Sequence, residues 1–267
     1  MKISLKVLGK EHLDTLTSMG NLASTYRNQG QWKEAEQLEV QVLETRKRVL
    51  EVEHPHTLKS MGNLASTYRH QGRWKEAQEL EVQVMETSLK VLGVEHPDTL
   101  TSIASLASTY RSHCQWKDAE DLLVQVMETR KRVLGVEHPD TLTSMGDLAS
   151  TYRRQSQWKE AEELLVQVME TRMRVLGVEH RDTLTSMADL ALTYWNQDHL
   201  KEAEELESQV MKTSLKVLGV EHPDTLTSMS NLASTYQRQG QWKEAEELLV
   251  QVMEARKRLL GVEYVAH

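Results

Sequence analysis

A phrase close to Glu95-His96-Pro97-Asp98-Thr99-Leu100-Thr101-Ser102 returns every 42 residues along this chain, and no other feature constrains its fold so tightly. Its histidine falls at His12, His54, His96, His138, His180 and His222, and Tyr264 stands where a seventh would be. Spacing without insertions is what a stack of identical units requires, because each unit must meet its neighbours through the same faces. The 267 residues therefore read as a single array, 1–267, that grows by length and needs no closed core. Its repeats fall at approximately 12–53, 54–95, 96–137, 138–179, 180–221 and 222–263. Residues 1–11 read as the remnant of a preceding second helix, since Ser4-Leu5-Lys6-Val7-Leu8-Gly9 repeats Ser88-Leu89-Lys90-Val91-Leu92-Gly93.

Within the third repeat, Leu100, Ile103, Leu106, Ala107 and Tyr110 recur at spacings of three and four, the mark of one buried helical stripe. This first helix is expected from Asp98 to about Ser112, with Pro97 in its first turn and His96 or Asp98 as its cap. A polar turn, His113-Cys114-Gln115, leads to a second helix over Trp116–Leu134. Other repeats place Gly30, Gly72 and Gly240 in that turn. The second helix carries Trp116, Ala119, Leu122, Leu123, Val126, Met127 and Val133 as its apolar set, acids early and bases late, in accord with the helix dipole. Gly135 ends it. Two helices with one stripe each bury it only by stacking, so the expected fold is all-α, a right-handed α-α superhelix of six antiparallel helix pairs.

Composition agrees: Phe is absent, there are only four prolines, and good helix formers dominate. A net charge of −8 speaks against nucleic acid, whose backbone calls for clustered Lys and Arg. Cys114 is the single cysteine, so no intrachain disulfide forms; it reads as a small turn residue, and a cytoplasmic setting fits. No stretch approaches the ~20 apolar residues of a membrane span, so no membrane partner is expected.

The residues resemble the tetratricopeptide repeat, through Leu64-Ala65-x-x-Tyr68 followed by Gly72, Trp74 and Ala77. They are more similar still to the repeats of kinesin light chains, which share His222-Pro223-Asp224, Asn231-Leu232-Ala233-Ser234-Thr235-Tyr236, Gln239-Gly240 and Glu244-Ala245-Glu246. That resemblance implies a non-enzymatic scaffold that binds a peptide or partner protein in a concave groove, as a cargo adaptor does. Similar arrays also form the ligand-sensing region of NLR-like (NB-ARC/NACHT) proteins, and near-identity among repeats suits that alternative. A third reading makes the chain a non-catalytic part of a larger enzyme. Bare helix faces at the two ends lead to a further expectation, a fragment of a longer protein or self-association through uncapped ends.

Candidate partner-binding residues come from the non-core face of the first helices, which line the inner wall of such arrays. One slot reads Asn21, Asn63, Ser105, Asp147, Asp189 and Asn231, short groups suited either to a peptide backbone or to bracing adjacent helices. Another reads Arg27, Arg69, Arg111 and Arg153, suited either to acidic or phosphorylated peptides or to pairing with neighbouring carboxylates. It breaks to Trp195 in the fifth repeat, where Leu192 shares a helix face with it; the pair is either an interface anchor or compensation for Leu200, which replaces a tryptophan. Catalytic residues, metal ligands and cofactors are not expected: the histidines are too widely spaced to share an ion, and no phosphate-binding glycine loop or nucleophile elbow occurs. The histidines read as caps and the methionines Met85, Met127, Met169, Met211 and Met253 as core filler.

Overall fold

A computed structural model describes Gly9 and residues 11–260. The expected helix remnant before residue 9, and Tyr264, lie outside the described residues. Among the described residues there are twelve helices: α1 (Leu13–Asn28), α2 (Trp32–Leu50), α3 (Pro55–His70), α4 (Trp74–Leu92), α5 (Pro97–Ser112), α6 (Trp116–Leu134), α7 (Pro139–Arg154), α8 (Trp158–Leu176), α9 (Arg181–Asn196), α10 (Leu200–Leu218), α11 (Pro223–Gln239) and α12 (Trp242–Leu260). The odd-numbered helices are the first of each pair, the even-numbered the second. Two compact units divide between Val133 and Leu134, the first holding α1 to α6 and the second α7 to α12. None of the described helices is long and apolar enough to cross a membrane.

Each first helix starts at the recurring histidine. In all six, the histidine Nδ1 accepts the backbone N–H two residues on, at 3.1–3.2 Å, so histidine and not aspartate is the cap. Four of these helices have proline at their first position; α9 has Arg181 instead. The turn after each first helix is closed by a 2.9 Å bond to a tyrosine carbonyl, as from Gln31 N–H to Tyr26 and from Gln115 N–H to Tyr110. That turn needs a positive φ, supplied by Gly30, Gly72 and Gly240 but also adopted by Cys114, Ser156 and Asp198.

In the first unit every helix packs on the next, and the first helices of successive pairs also touch, α1 on α3 and α3 on α5. The second unit packs its helices consecutively from α7 to α12. Close approach rests on alanine: Ala65 and Ala77 in one pair, Ala191 and Ala203 in another, are fully buried. Around them lie aliphatic clusters such as Leu43, Leu58, Met61 and Leu64, with Tyr68, Leu80 and Val84 against them. Methionine fills the core at Met127, and Met85, Met169 and Met211 pack in part. Met253 does not: α12 leaves it 47% exposed. Val133 is likewise exposed, because it sits in the last turn of α6, beyond the core stripe.

Second helices end at Gly93, Gly135, Gly177 and Gly219, all with φ between 84° and 89°. With ψ near 165°, as at Gly93 and Gly177, this is backbone that only glycine adopts without strain. In the first repeat the position is Glu51, at φ 70° and ψ 171°. Glu51→Gly is expected to stabilise the first unit by about 1–3 kcal/mol, seen as a higher midpoint in urea unfolding followed by circular dichroism. An unchanged or lower midpoint would show that the backbone there carries no strain.

Candidate partner-binding face

Two of the candidate rows meet each other. Arg27 Nη1 donates to the Asn63 carbonyl at 3.1 Å, and Arg153 bonds both the carbonyl and the carboxylate of Asp189, the latter at 2.9 Å. The arginine of one pair thus reaches the Asn/Asp slot of the next. Arg69 lies 3.9 Å from Glu81, and Arg111 and Asp147 are also engaged. Ser105 is half-buried, whereas Asn21 and Asn231 are exposed. Leu192 is exposed too, but Trp195 is half-covered: the Arg238 guanidinium stacks 4.3 Å above its ring and donates to its carbonyl. The Trp195 Nε1 is buried without a hydrogen-bond partner.

A register overlooked in the sequence is a buried carboxylate on the second helix. Glu39, Glu81 and Glu207 share it, while other repeats place Leu123, Leu165 and Leu249 there. Glu39 is well served, by Thr67 Oγ1 at 2.6 Å and by Arg27 at 3.5 Å. Burial still raises its carboxyl above the ordinary range. Glu81 has only Arg69, and Thr109 lies beside it without closing the same bond, so burial pushes its carboxyl to about 7. Glu207 has no arginine at all, because that slot is Trp195; its Oε2 is buried and unpartnered, and burial raises its carboxyl too. Where Leu165 holds the register, the facing threonine turns to its own helix: Thr193 bonds the carbonyl of Asp189.

One turn from the end of the second helix, another register alternates: Arg46, Ser88, Arg130, Arg172, Ser214 and Arg256. Arg46 is buried across the adjoining first helices, donating to the His56 carbonyl at 3.0 Å, Ser60 Oγ at 2.8 Å and Thr17 Oγ1 at 3.3 Å. Arg172 repeats the arrangement on the Asp182 carbonyl and Ser186 Oγ. Above Ser214 there is instead a cavity of about 840 Å³ between α9, α10 and α11. Glu207, Val210 and Ser214 floor it, Leu184 and Thr185 wall one side, and Ser228 and Asn231 wall the other. Of the candidate residues, then, the structure brings Asn231 to a cavity. The signal that would have located it was present in the sequence, as the arginine-to-serine change, but read only as a basic helix end. Among the described residues no group of histidine, cysteine and carboxylate side chains fits a metal ion.

Helix pairs joined in this register define a tetratricopeptide array, and comparison bears this out. Two family models, both described as the tetratricopeptide repeat, match residues 15–56 and 225–265, and 40–90, 56–132, 114–174 and 150–216. The chain belongs to the tetratricopeptide repeat family. A Podosopora anserina structure of nearly identical TPR-like repeats, assigned as a kinesin light chain, is 40% identical, with a TM-score of 0.71, over 78% of this chain and 98% of that one. BtubC (BKLC) from P. vanneervenii shares the fold at 14% identity and a TM-score of 0.74, over 88% of this chain and 95% of that one. So does a STAND protein with a tetratricopeptide repeat sensor from Pyrococcus horikoshii, at 14% identity and a TM-score of 0.69, covering 92% of this chain and 37% of that one. Among curated proteins no sequence match was found. Arrays of this family are generally non-catalytic protein-interaction scaffolds.

The Glu81 carboxyl yields a pH prediction. Its folded value near 7 lies above the ordinary 4.5, so the folded state holds the proton more tightly. Its contribution to stability is complete below pH 4.5 and is lost as pH rises through 7. Glu81→Leu, which adopts the residue native at 123 and 165, should therefore gain stability over the parent as pH rises from 5 to 8, by up to about 3 kcal/mol. Thermal melts of both proteins at the two pH values check this; a gain independent of pH would contradict it.

Proposed function

We propose that the array is a cytoplasmic adaptor that holds an extended peptide segment of a partner protein along its first-helix face. The observation that carries this reading is the cavity of about 840 Å³ between α9 and α11, within the size range of ligand sites and bordered by the exposed amide of Asn231. Asn21 and Asn231 offer donors and acceptors to a peptide backbone, and Leu192 offers an apolar contact. Arg27 and Arg153 act in this reading by holding successive first helices in register, which keeps the face preorganised. The 40% identity to repeats assigned as a kinesin light chain supports the adaptor form over an isolated structural role.

The test is selection of random displayed peptides on the immobilised chain, followed by calorimetric titration of those enriched. Peptides are expected to bind with one-to-one stoichiometry and to weaken about fivefold in Asn231→Ala, the loss of one or two neutral hydrogen bonds. Selection that enriches no peptide would overturn the peptide reading. Enriched peptides indifferent to both Asn231→Ala and Leu192→Ala would move the site away from this face.

A further inference from the structure

The protein carries a template for its own ligand. Over α2, the guanidinium of Arg46 crosses to the adjoining first helices and meets three acceptors, Thr17 Oγ1, the His56 carbonyl and Ser60 Oγ. Their counterparts in the last two repeats, Thr185, Asp224 and Ser228, all border the cavity above Ser214. The serine hydroxyl registers the difference. Ser60 and Ser186, which accept from arginine, donate to the carbonyl four residues back; Ser228 donates to Thr225, three back. We propose that this cavity binds the arginine side chain of a peptide partner, whose guanidinium takes the place that Arg46 and Arg172 fill from within the chain.

Charge favours the same occupant. Glu207 is 7% exposed, borders the cavity, and has an Oε2 with no partner. Its counterparts Glu39 and Glu81 each lie near an arginine, whereas the fifth repeat places Trp195 there. Arg181, which itself borders the cavity, is paired with Asp224 at 3.6 Å, and nearby Lys216 with Glu179. The second repeat shows why serine alone does not suffice: it has Ser88, but Lys59 stands in the position of Thr185 and Arg69 attends Glu81. Only the fifth repeat combines serine in this register, a buried glutamate with no arginine in the slot of Arg27, and threonine in the position of Lys59. Arginine is preferred to lysine because the acceptors lie where two nitrogens of one planar fork reach them together, as Arg46 does with Nη1 and Nη2.

This inference rests on the peptide-binding reading, and its test separates the two. Blocked pentapeptides, acetyl-Gly-Leu-Xaa-Leu-Gly-amide with arginine, lysine or citrulline at the centre, are titrated into the full chain while the methyl groups of Leu184, Val210 and Val217 are followed by NMR. The arginine peptide is expected to shift these methyls saturably and to bind at least about tenfold more tightly than the citrulline peptide. Ser214→Arg, which installs the residue native at 46 and 172, should fold normally and abolish those shifts. Glu207→Gln should weaken binding about tenfold. Equal affinity for citrulline, or retained binding in Ser214→Arg, would overturn the assignment. If display-selected peptides without arginine bind and are lost in Ser214→Arg, the arginine assignment falls and the peptide reading stands; if no peptide of any composition binds, both fall.

Discussion

The contact on which the rest of the array depends is alanine against helix. Ala65 and Ala77, and their equivalents in the other pairs, allow the helices of a pair to approach until no solvent reaches between them. At that separation each longer side chain has one place to go, and a fixed repeat length delivers the same residue to that place in every pair. Buried aliphatic contacts then hold the stack, while the polar ladders set its register. The exposed pairs between the end of a second helix and the linker that opens its own repeat, such as Arg48 with Glu11 at 2.5 Å and Lys90 with Glu53 at 2.7 Å, add little energy in water. They recur because the geometry recurs.

Much of this was open to inspection in the sequence. The three-and-four spacing of Leu100, Ile103, Leu106 and Ala107 and the Pro97 start placed α5 within a residue of its observed bounds, and Trp116 to Leu134 matched α6. Local rules suffice there, since a helix boundary depends on a few neighbouring residues. The cap was ambiguous because histidine and aspartate both accept hydrogen bonds, and only backbone geometry distinguishes them. Val133 and Met253 misled for the opposite reason: periodicity reports which residues share a face but not whether anything covers that face.

The candidate site was less legible because its determinants are relations between repeats. Arg153 looks available in sequence, and its bond to Asp189 spans 36 residues. Glu207 looks like one more surface acid in a second helix rich in acids, until the missing arginine at Trp195 is seen opposite it. Leu192 and Trp195 stand out as departures because no other repeat has them, whereas Ser214 and Glu207 recur as Ser88 and Glu81 and draw no notice singly. In a chain of near-identical repeats, information about partners sits in pairs of differences that fall within reach of each other.

The cavity above Ser214 needs only three consecutive helices, α9 to α11, and each is built to the same plan as its neighbours. Gain or loss of one 42-residue block elsewhere would leave those three helices untouched. The cavity would then occupy a new ordinal position with its chemistry intact. Position along the array and ligand chemistry are thereby separable heritable traits, so a lineage can move this binding place along the array without re-evolving it.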